Sequence, residues 1–470
     1  MWDVKKTPSL PAGSRLLARE ASVEVRPGEW PSSVELGRGW KWIEGGKKFA
    51  RDSIMRLLFS ADGSSGDLIP MVLMAREFKQ AGYDVCVCGS TEFEGMAVDF
   101  DVPYEAYPHS YSDIYLDNQK TGYIHNIREN IRHRERLFKG EFELLSKIAP
   151  DYDVLFNFLG EILVPSFAEA FNMANVKLFT FPVIPSERYG PPMGLPFVTE
   201  NKWINRLEWA AAVFSAKYLF SYNKTIDRMR GELGLAPSRN LLAENAQCDH
   251  MMIGLYEELV PPCPSWSSID YSYIGPCIPS QPAELSDSLE EFLSQGSAPV
   301  YIGFGSMRHQ NSDMLTRTLV EAARAAGVRT VLAQAGSTIG AEVEGSGDVY
   351  VLREYPIPHH KLFPRCLAAV HHGSWITTHL AARAGVPQLV LPQASDQYMW
   401  GEIIYKKELG PKWVDMNNLS QRKLRTALER LVTREVFARH ASDFAERVEG
   451  IDGAKNAVES FERVKSKLKR

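Results

Sequence analysis

Short apolar runs alternate with helix-length amphipathic stretches over most of this chain. Ile54 to Ser60, Val85 to Cys88, Asp153 to Phe158 and Lys177 to Phe181 each read as a buried strand. His250 to Tyr256 and Tyr271 to Gly275 extend the series. Between them, Val72, Leu73, Ala75 and Phe78 carry a helix to Gly82, and Phe138 to Ile148, Pro165 to Asn172 and Trp203 to Tyr222 have helical spacing. Strand followed by helix followed by strand predicts a parallel, doubly wound α/β sheet.

The same alternation restarts further on. Pro299 to Phe304, Thr330 to Gln334, Val349 to Arg353, Leu367 to Val370 and Gln388 to Leu391 read as strands. Met314 to Gly327, Thr377 to Ala384, Tyr398 to Leu409, Ser420 to Leu431 and Val436 to Val448 read as helices. The prolines of 276–284 separate the two series. The expected division is an extension at 1–52, a first domain at 53–276, a linker at 277–284, a second domain at 285–447 and a terminal helical segment at 448–470. The extension shows no periodicity, but it holds Trp2, Trp30, Trp40 and Trp42.

A length of 470 residues exceeds what one core usually supports, which agrees with two domains. The 44% hydrophobic and 24% charged residues fit a soluble globular protein. A formal charge of −5 argues against a nucleic-acid partner. Neither a long apolar span nor a signal-peptide core is visible, so a cytoplasmic protein without membrane insertion is expected. The six cysteines form no CxxC pair and are expected to be reduced. His359–His360 and His371–His372 are adjacent pairs, not metal-ligand spacings, so no metal site is expected.

Candidate chemistry concentrates in Cys366 to Gln397. After the strand at Leu367 to Val370, His371, His372, Gly373 and Ser374 form a turn that feeds a helix, and Gly385-Val386-Pro387 ends it. Backbone N–H groups at a helix N-terminus form an anion site. His372 can add a hydrogen bond or a charge there, and Thr377 and Thr378 add hydroxyls. Asp396 and Gln397 follow the next strand, where open α/β sheets bind ligands, and a carboxylate beside a carboxamide suits a polyol. A ligand with a phosphate end and a hydroxyl-rich end is a nucleotide sugar. The alternative from spacing alone is an ordinary βαβ unit with a capped helix.

Four motifs carry a family resemblance. HHGSWITT…RAGVPQ…DQ resembles the donor signature HHGGAGTT…RAGVPQ…DQ of GT-B glycosyltransferases in the sterol and antibiotic or macrolide group, with Ser374 and Ile376 standing where that pattern has glycines. Gly63-Ser64-Ser65-Gly66-Asp67-Leu68-Ile69-Pro70 resembles G-S-R-G-D-x-x-P, VYIGFGSM at 300–307 resembles VYVGFGSM, and EYPIPHHKLFPR resembles V-P-H…LFPR. The resemblance implies two facing Rossmann-like domains, acceptor-binding then donor-binding, with the last helix crossing back onto the first. It implies an inverting enzyme moving a hexose from a UDP- or dTDP-sugar to a hydrophobic small molecule. Asp67 would be the base; its plain alternative is a helix cap. Gly305, Ser306, His372, Gly373, Ser374, Trp375, Ile376 and Thr377 would hold the diphosphate, Ile357 and Pro358 the base edge, and Asp396 and Gln397 the sugar. His109, Tyr111, Trp203 and Trp209 are the acceptor-side candidates, with ordinary core packing as the alternative for each aromatic. Neither a metal nor a cofactor beyond the nucleotide sugar is expected, and the chain is expected as a monomer or homodimer. Rival readings are a C-glycosyltransferase, a nucleotide-sugar 2-epimerase and an inactive homologue that activates a partner.

Overall fold

The structure is a computed structural model. It describes residues 54–110, 123–158, 160–182, 184–191, 200–218, 222–239, 241–279, 284–305, 312–334, 339–341, 343–354, 357–393 and 396–468, together with three short strands before residue 54. Those strands, β1 (Glu35–Leu36), β2 (Trp40–Lys41) and β3 (Ala50–Arg51), pair antiparallel and belong to a unit of their own, Met1–Met55.

The main unit, Arg56–Arg470, contains two parallel sheets. The first is built from β4 (Arg56–Ala61), β5 (Asp84–Ser90), β6 (Tyr104–Tyr107), β7 (Val154–Phe158), β8 (Ala174–Phe179), β9 (His250–Ile253) and β10 (Tyr271–Tyr273). Its spatial order is β10-β9-β8-β7-β4-β5-β6. The second is built from β11 (Val300–Gly303), β12 (Thr330–Ala333), β13 (Val349–Leu352), β14 (Ala368–His371) and β15 (Gln388–Val390), in the order β13-β12-β11-β14-β15. Every pairing in both sheets is parallel. Strands buried on both faces read as continuous apolar runs, and β4, β7 and β11 are of that kind.

Each sheet reverses its winding once, at β4/β7 in the first and at β11/β14 in the second. At such a reversal the flanking helices diverge and leave a crevice beyond the strands' carboxyl ends. The glycine-rich turn after β4 and the histidine bend after β14 therefore both sit at switch points.

One apolar cluster joins the two halves. It runs from Phe179, Tyr256 and Trp266 to Ile357, Trp375, Trp400 and Phe444. Tyr256 stands 5.4 Å from the His379 ring and 5.7 Å from that of Phe444. The last helix, Gly453–Val464, packs on the first, Ser65–Gln80. Phe461 meets Phe78 at 5.3 Å and Phe156 at 5.6 Å, and Asn456 donates to the Ile274 carbonyl at 2.9 Å. Asp452 caps this helix through the amides of Ala454 and Lys455. Buried His250 contacts the Ser460 hydroxyl at 3.3 Å, fastening the same helix to β9.

The structure departs from the sequence reading in several places. Tyr104–Tyr107 is a strand and Asp287–Ser294 a helix, neither of which the pattern suggested. The helix expected from Phe138 begins at Tyr123. The stretch expected as one helix to Tyr222 is two, Lys202–Tyr218 and Tyr222–Glu232. All six cysteines are free thiols. Among the described residues, no helix is long and apolar enough to cross a membrane.

Candidate functional site

The bend after β14 is fixed by its own side chains. His371 is the last residue of the strand, not part of the turn, and pairs with Gly303 of β11. Its Nδ1 accepts from the Gly373 amide at 3.0 Å, so Nε2 carries the proton and donates to Gln388 Oε1 at 2.8 Å. Gly373 follows with φ +90, a left-handed conformation that favours glycine. A Cβ there would sit 2.7 Å from Val390 Cγ1 and 3.0 Å from the Gln397 carbonyl oxygen. The bend thus lies directly on the start of the helix Gln397–Lys406.

Ser374 is the N-cap of the helix Trp375–Arg383. Its Oγ accepts from the Thr377 amide at 3.3 Å and donates to Thr377 Oγ1 at 2.9 Å. The hydroxyls expected to meet a phosphate are therefore engaged in the cap. The amides of Trp375 and Ile376 head the helix and have no intrahelical acceptor. The Trp375 side chain is buried, and Nε1 donates to the Gly254 carbonyl at 3.2 Å, just past β9. Ile376 lies half-buried against the apolar cluster that joins the halves.

His372 is 7% exposed, and its Nδ1 has no hydrogen-bond partner. Burial pushes its pKa down to about 3, with His371 adding to the effect. The imidazole is neutral at physiological pH, so it can offer a hydrogen bond but not the positive charge considered from the sequence. Its ring centroid is 6.5 Å from that of Phe304. Gly305, with φ +57, continues that neighbouring turn. Ser306 and Tyr111 lie outside the described residues.

Beyond β15, Asp396 is half-buried and Gln397 buried. Burial raises the Asp396 pKa to about 6, and the Asp67 charge adds to it. Gln397 Oε1 accepts from the Gln393 amide at 2.8 Å, so the carboxamide oxygen braces its own loop instead of standing free for a sugar. Ile357 and Pro358 are buried, and the Ile357 carbonyl accepts from the His359 amide at 2.8 Å. His359 Nε2 in turn contacts the Tyr301 hydroxyl at 3.0 Å.

Across the gap, the helix Ser65–Gln80 opens with Ser64 as N-cap and Asp67 as the third helical residue. Asp67 is therefore part of the cap rather than the N-cap itself, and Pro70 falls in the second turn. Asp67 Oδ2 accepts from the Ser64 amide at 2.8 Å and from Ser64 Oγ at 2.9 Å. That is one arm of a capping box. Burial raises the Asp67 pKa despite these two bonds.

The acceptor-side candidates scatter. Trp203 is 66% exposed on the outer face of Lys202–Tyr218, beneath the Arg206 guanidinium. Trp209, on the inner face, donates to the Tyr189 carbonyl at 2.8 Å. His109 is held by Asp62, with Nε2 3.1 Å from both carboxylate oxygens, and its side chain is 9% exposed. Three acids missing from the sequence reading cluster here. Asp62 follows β4, Glu161 follows β7, and buried Glu141 sits on the helix Tyr123–Ile148. Their signal was position: Asp62 and Glu161 stand just past strand carboxyl ends at the switch point. Among the described residues, no group of histidines, cysteines and acids is arranged to hold a metal.

A helix N-terminus, a neutral histidine and the carboxyl groups of Asp67 and Asp396 stand at the paired switch points. Residues 350–451 match the family model described as erythromycin biosynthesis protein CIII-like, C-terminal domain. The chain is similar to sterol and antibiotic glycosyltransferases. Sterol 3-beta-glucosyltransferase UGT80B1 of Arabidopsis thaliana is 26% identical over 85% of this chain and 66% of its own length. The vancomycin aglycone glucosyltransferase of Amycolatopsis orientalis is 29% identical over 73% of this chain and 82% of its own length. This chain thus spans just under two thirds of the plant relative. Among solved structures, the calicheamicin glycosyltransferase CalG4 superposes with a TM-score of 0.67 at 14% identity, covering 87% of this chain and 98% of that one. Glycosyltransferase VinC in complex with dTDP gives 0.63 at 17% identity, over 88% of this chain and all (100%) of VinC. The fold shared with these structures is GT-B.

Proposed function

We propose that this protein is an inverting glycosyltransferase that moves a hexose from a UDP- or dTDP-sugar to a hydroxyl group of a hydrophobic small molecule, in the cytoplasm. The observation that carries the reading is the pair of switch points in one unit: Asp67 stands at the first, the histidine bend at the second lies on Gln397, and the Asp67 charge adds to the effect of burial on neighbouring Asp396. Related chains named for sterol and vancomycin-aglycone glucosylation support the acceptor class.

In this reading the diphosphate rests on the head of the helix Trp375–Arg383. The Trp375 and Ile376 amides and the His372 N–H receive the negative charge that grows as the sugar leaves. Those dipoles take the place that a divalent cation fills in other enzymes, so no metal is required. Asp396 accepts hydrogen bonds from sugar hydroxyls. Asp67 takes the acceptor's proton as its oxygen attacks the anomeric carbon from the opposite face, and the bond to the leaving phosphate oxygen breaks. The elevated proton affinity of Asp67 suits that task, since a base works best when its pKa approaches the working pH.

The test is a screen of UDP- and dTDP-hexoses against sterols and polyketide or peptide aglycones, with EDTA present, read by mass spectrometry. Expected is a glycoside whose anomeric configuration, by NMR, is opposite to that of the donor. Absence of both product and nucleotide release from every donor would overturn the reading.

A further inference from the structure

Behind Asp67 lies a buried ionisable cluster that the proposed reaction does not use. Its centre is Asp62 with His109, whose side chains are 2% and 9% exposed. His109 Nε2 lies 3.1 Å from each Asp62 carboxylate oxygen. The imidazole stacks on Tyr107 with centroids 5.6 Å apart. Its Nδ1 is pressed against Gly140, where any Cβ would collide with it, and has no partner. Nε2 is therefore the nitrogen that donates, and the ring is closed to substrate. The Asp62 amide donates to Glu161 Oε1 at 3.3 Å. Glu161 is pinned in turn by Ser60 Oγ at 2.5 Å and the Phe158 amide at 2.9 Å. A buried carboxylate held this firmly cannot swing away from a neighbouring charge.

That neighbour is Asp67. Its carboxylate lies on Gly63, where a Cβ would strike Oδ2, and it is bonded to Ser64. Asp62 and Asp67 thus flank one short turn. We propose that the Asp62–His109 pair is a positioning device that fixes a second carboxylate behind the base and so contributes to its proton affinity. The inference rests on the reading of Asp67 as base only for its consequence, not for its geometry.

The groups around Asp67 are few. Burial raises its proton affinity most and Asp62 adds to that; the Ser64 bonds and then Arg134, on the helix Tyr123–Ile148, lower it. Asp396 faces it from the second sheet. Around Asp62 itself stand His109, Glu141, Glu161 and the Tyr104 phenol. Glu141 is pushed well above the usual carboxylate range, chiefly by burial and then by Asp62.

The experiment follows the Asp67 carboxyl directly. The full-length protein, labelled with 13C at aspartate Cγ, is titrated by NMR, with Asp67→Asn assigning the signal. In Asp62→Asn the midpoint is expected to fall. His109→Gln, which keeps a donor toward Asp62, is expected to leave it unmoved, and His109→Ala to lower it. An unmoved midpoint in both Asp62→Asn and His109→Ala overturns the proposal, as does an equal shift in His109→Gln and His109→Ala. Should Asp62→Asn not fold, the His109 pair decides alone. Failure of the base reading is separate: it shows as unchanged transfer in Asp67→Asn, whatever the titration gives.

Discussion

Asp67 and Asp396 lie within electrostatic reach of one another across the gap between the two sheets, and the Asp67 charge helps raise the Asp396 pKa to about 6. The coupling is reciprocal, because a charge that disfavours its neighbour's ionisation is disfavoured by it in turn. Donor affinity should therefore fall as pH drops through about 6, where Asp396 gains a proton and loses its capacity to accept from two hydroxyls. Calorimetric titration with UDP-glucose and dTDP-glucose from pH 5 to 8 measures this. Asp396→Asn should flatten the profile and weaken binding about 10- to 100-fold, the scale of a lost charged hydrogen bond. Asp67→Asn should bind donor and shift the limb to lower pH, since the repulsion is gone.

His372 should not titrate in the free protein anywhere between pH 5 and 8, given a pKa near 3. Imidazole NMR checks this against the His372→Gln spectrum. A midpoint near 6.5 would mean the ring is solvated rather than enclosed.

Glu161 makes stability depend on pH. Its folded pKa is raised to about 7 from 4.5, so the native state binds a proton that the unfolded chain releases. The stabilisation is complete below 4.5 and is lost as pH rises through 7. Glu161→Gln keeps a neutral partner for Ser60 and Phe158 and should remove that slope. Its advantage at pH 8 is bounded by about 3 kcal/mol, the value of the whole shift. Urea unfolding at pH 4.5 and pH 8 is the comparison; a slope unchanged by the substitution would place the proton elsewhere.

Trp375 ties the two halves through one indole N–H and a buried ring. Trp375→Phe should cost about 1 kcal/mol, since only the hydrogen bond is lost. Trp375→Ala should cost about 3–5 kcal/mol because a large cavity opens between the halves. Gly373→Ala should be worse for donor binding than for stability, since the added methyl pushes the bend away from Val390 and the Gln397 carbonyl. Thermal melts and donor titration on the same preparations separate the two effects.

How much of this was legible in the sequence follows from range. The bend was legible because its parts are local: apolar strand, His371 to Ser374, helix, Gly385 and Pro387. The error of one residue at His371 arose because its side chain is polar, yet the ladder to Gly303 continues through it. The strand Tyr104–Tyr107 was missed because an edge strand of four residues is half polar and shows no apolar run. Ser374 looked like a phosphate ligand because a cap and an anion site use the same residue types. The pairings of Asp62 with His109 and of Asp67 with Asp396 were not legible, because nothing local marks a partner so far along the chain.

The docking of Phe461 on Phe78 and Phe156 has a consequence for biosynthesis. The segment that covers these rings follows both sheets in the chain. Until it emerges, the nascent amino-terminal lobe shows bare phenylalanines to the cell, and a chaperone would find its target there before any catalyst exists.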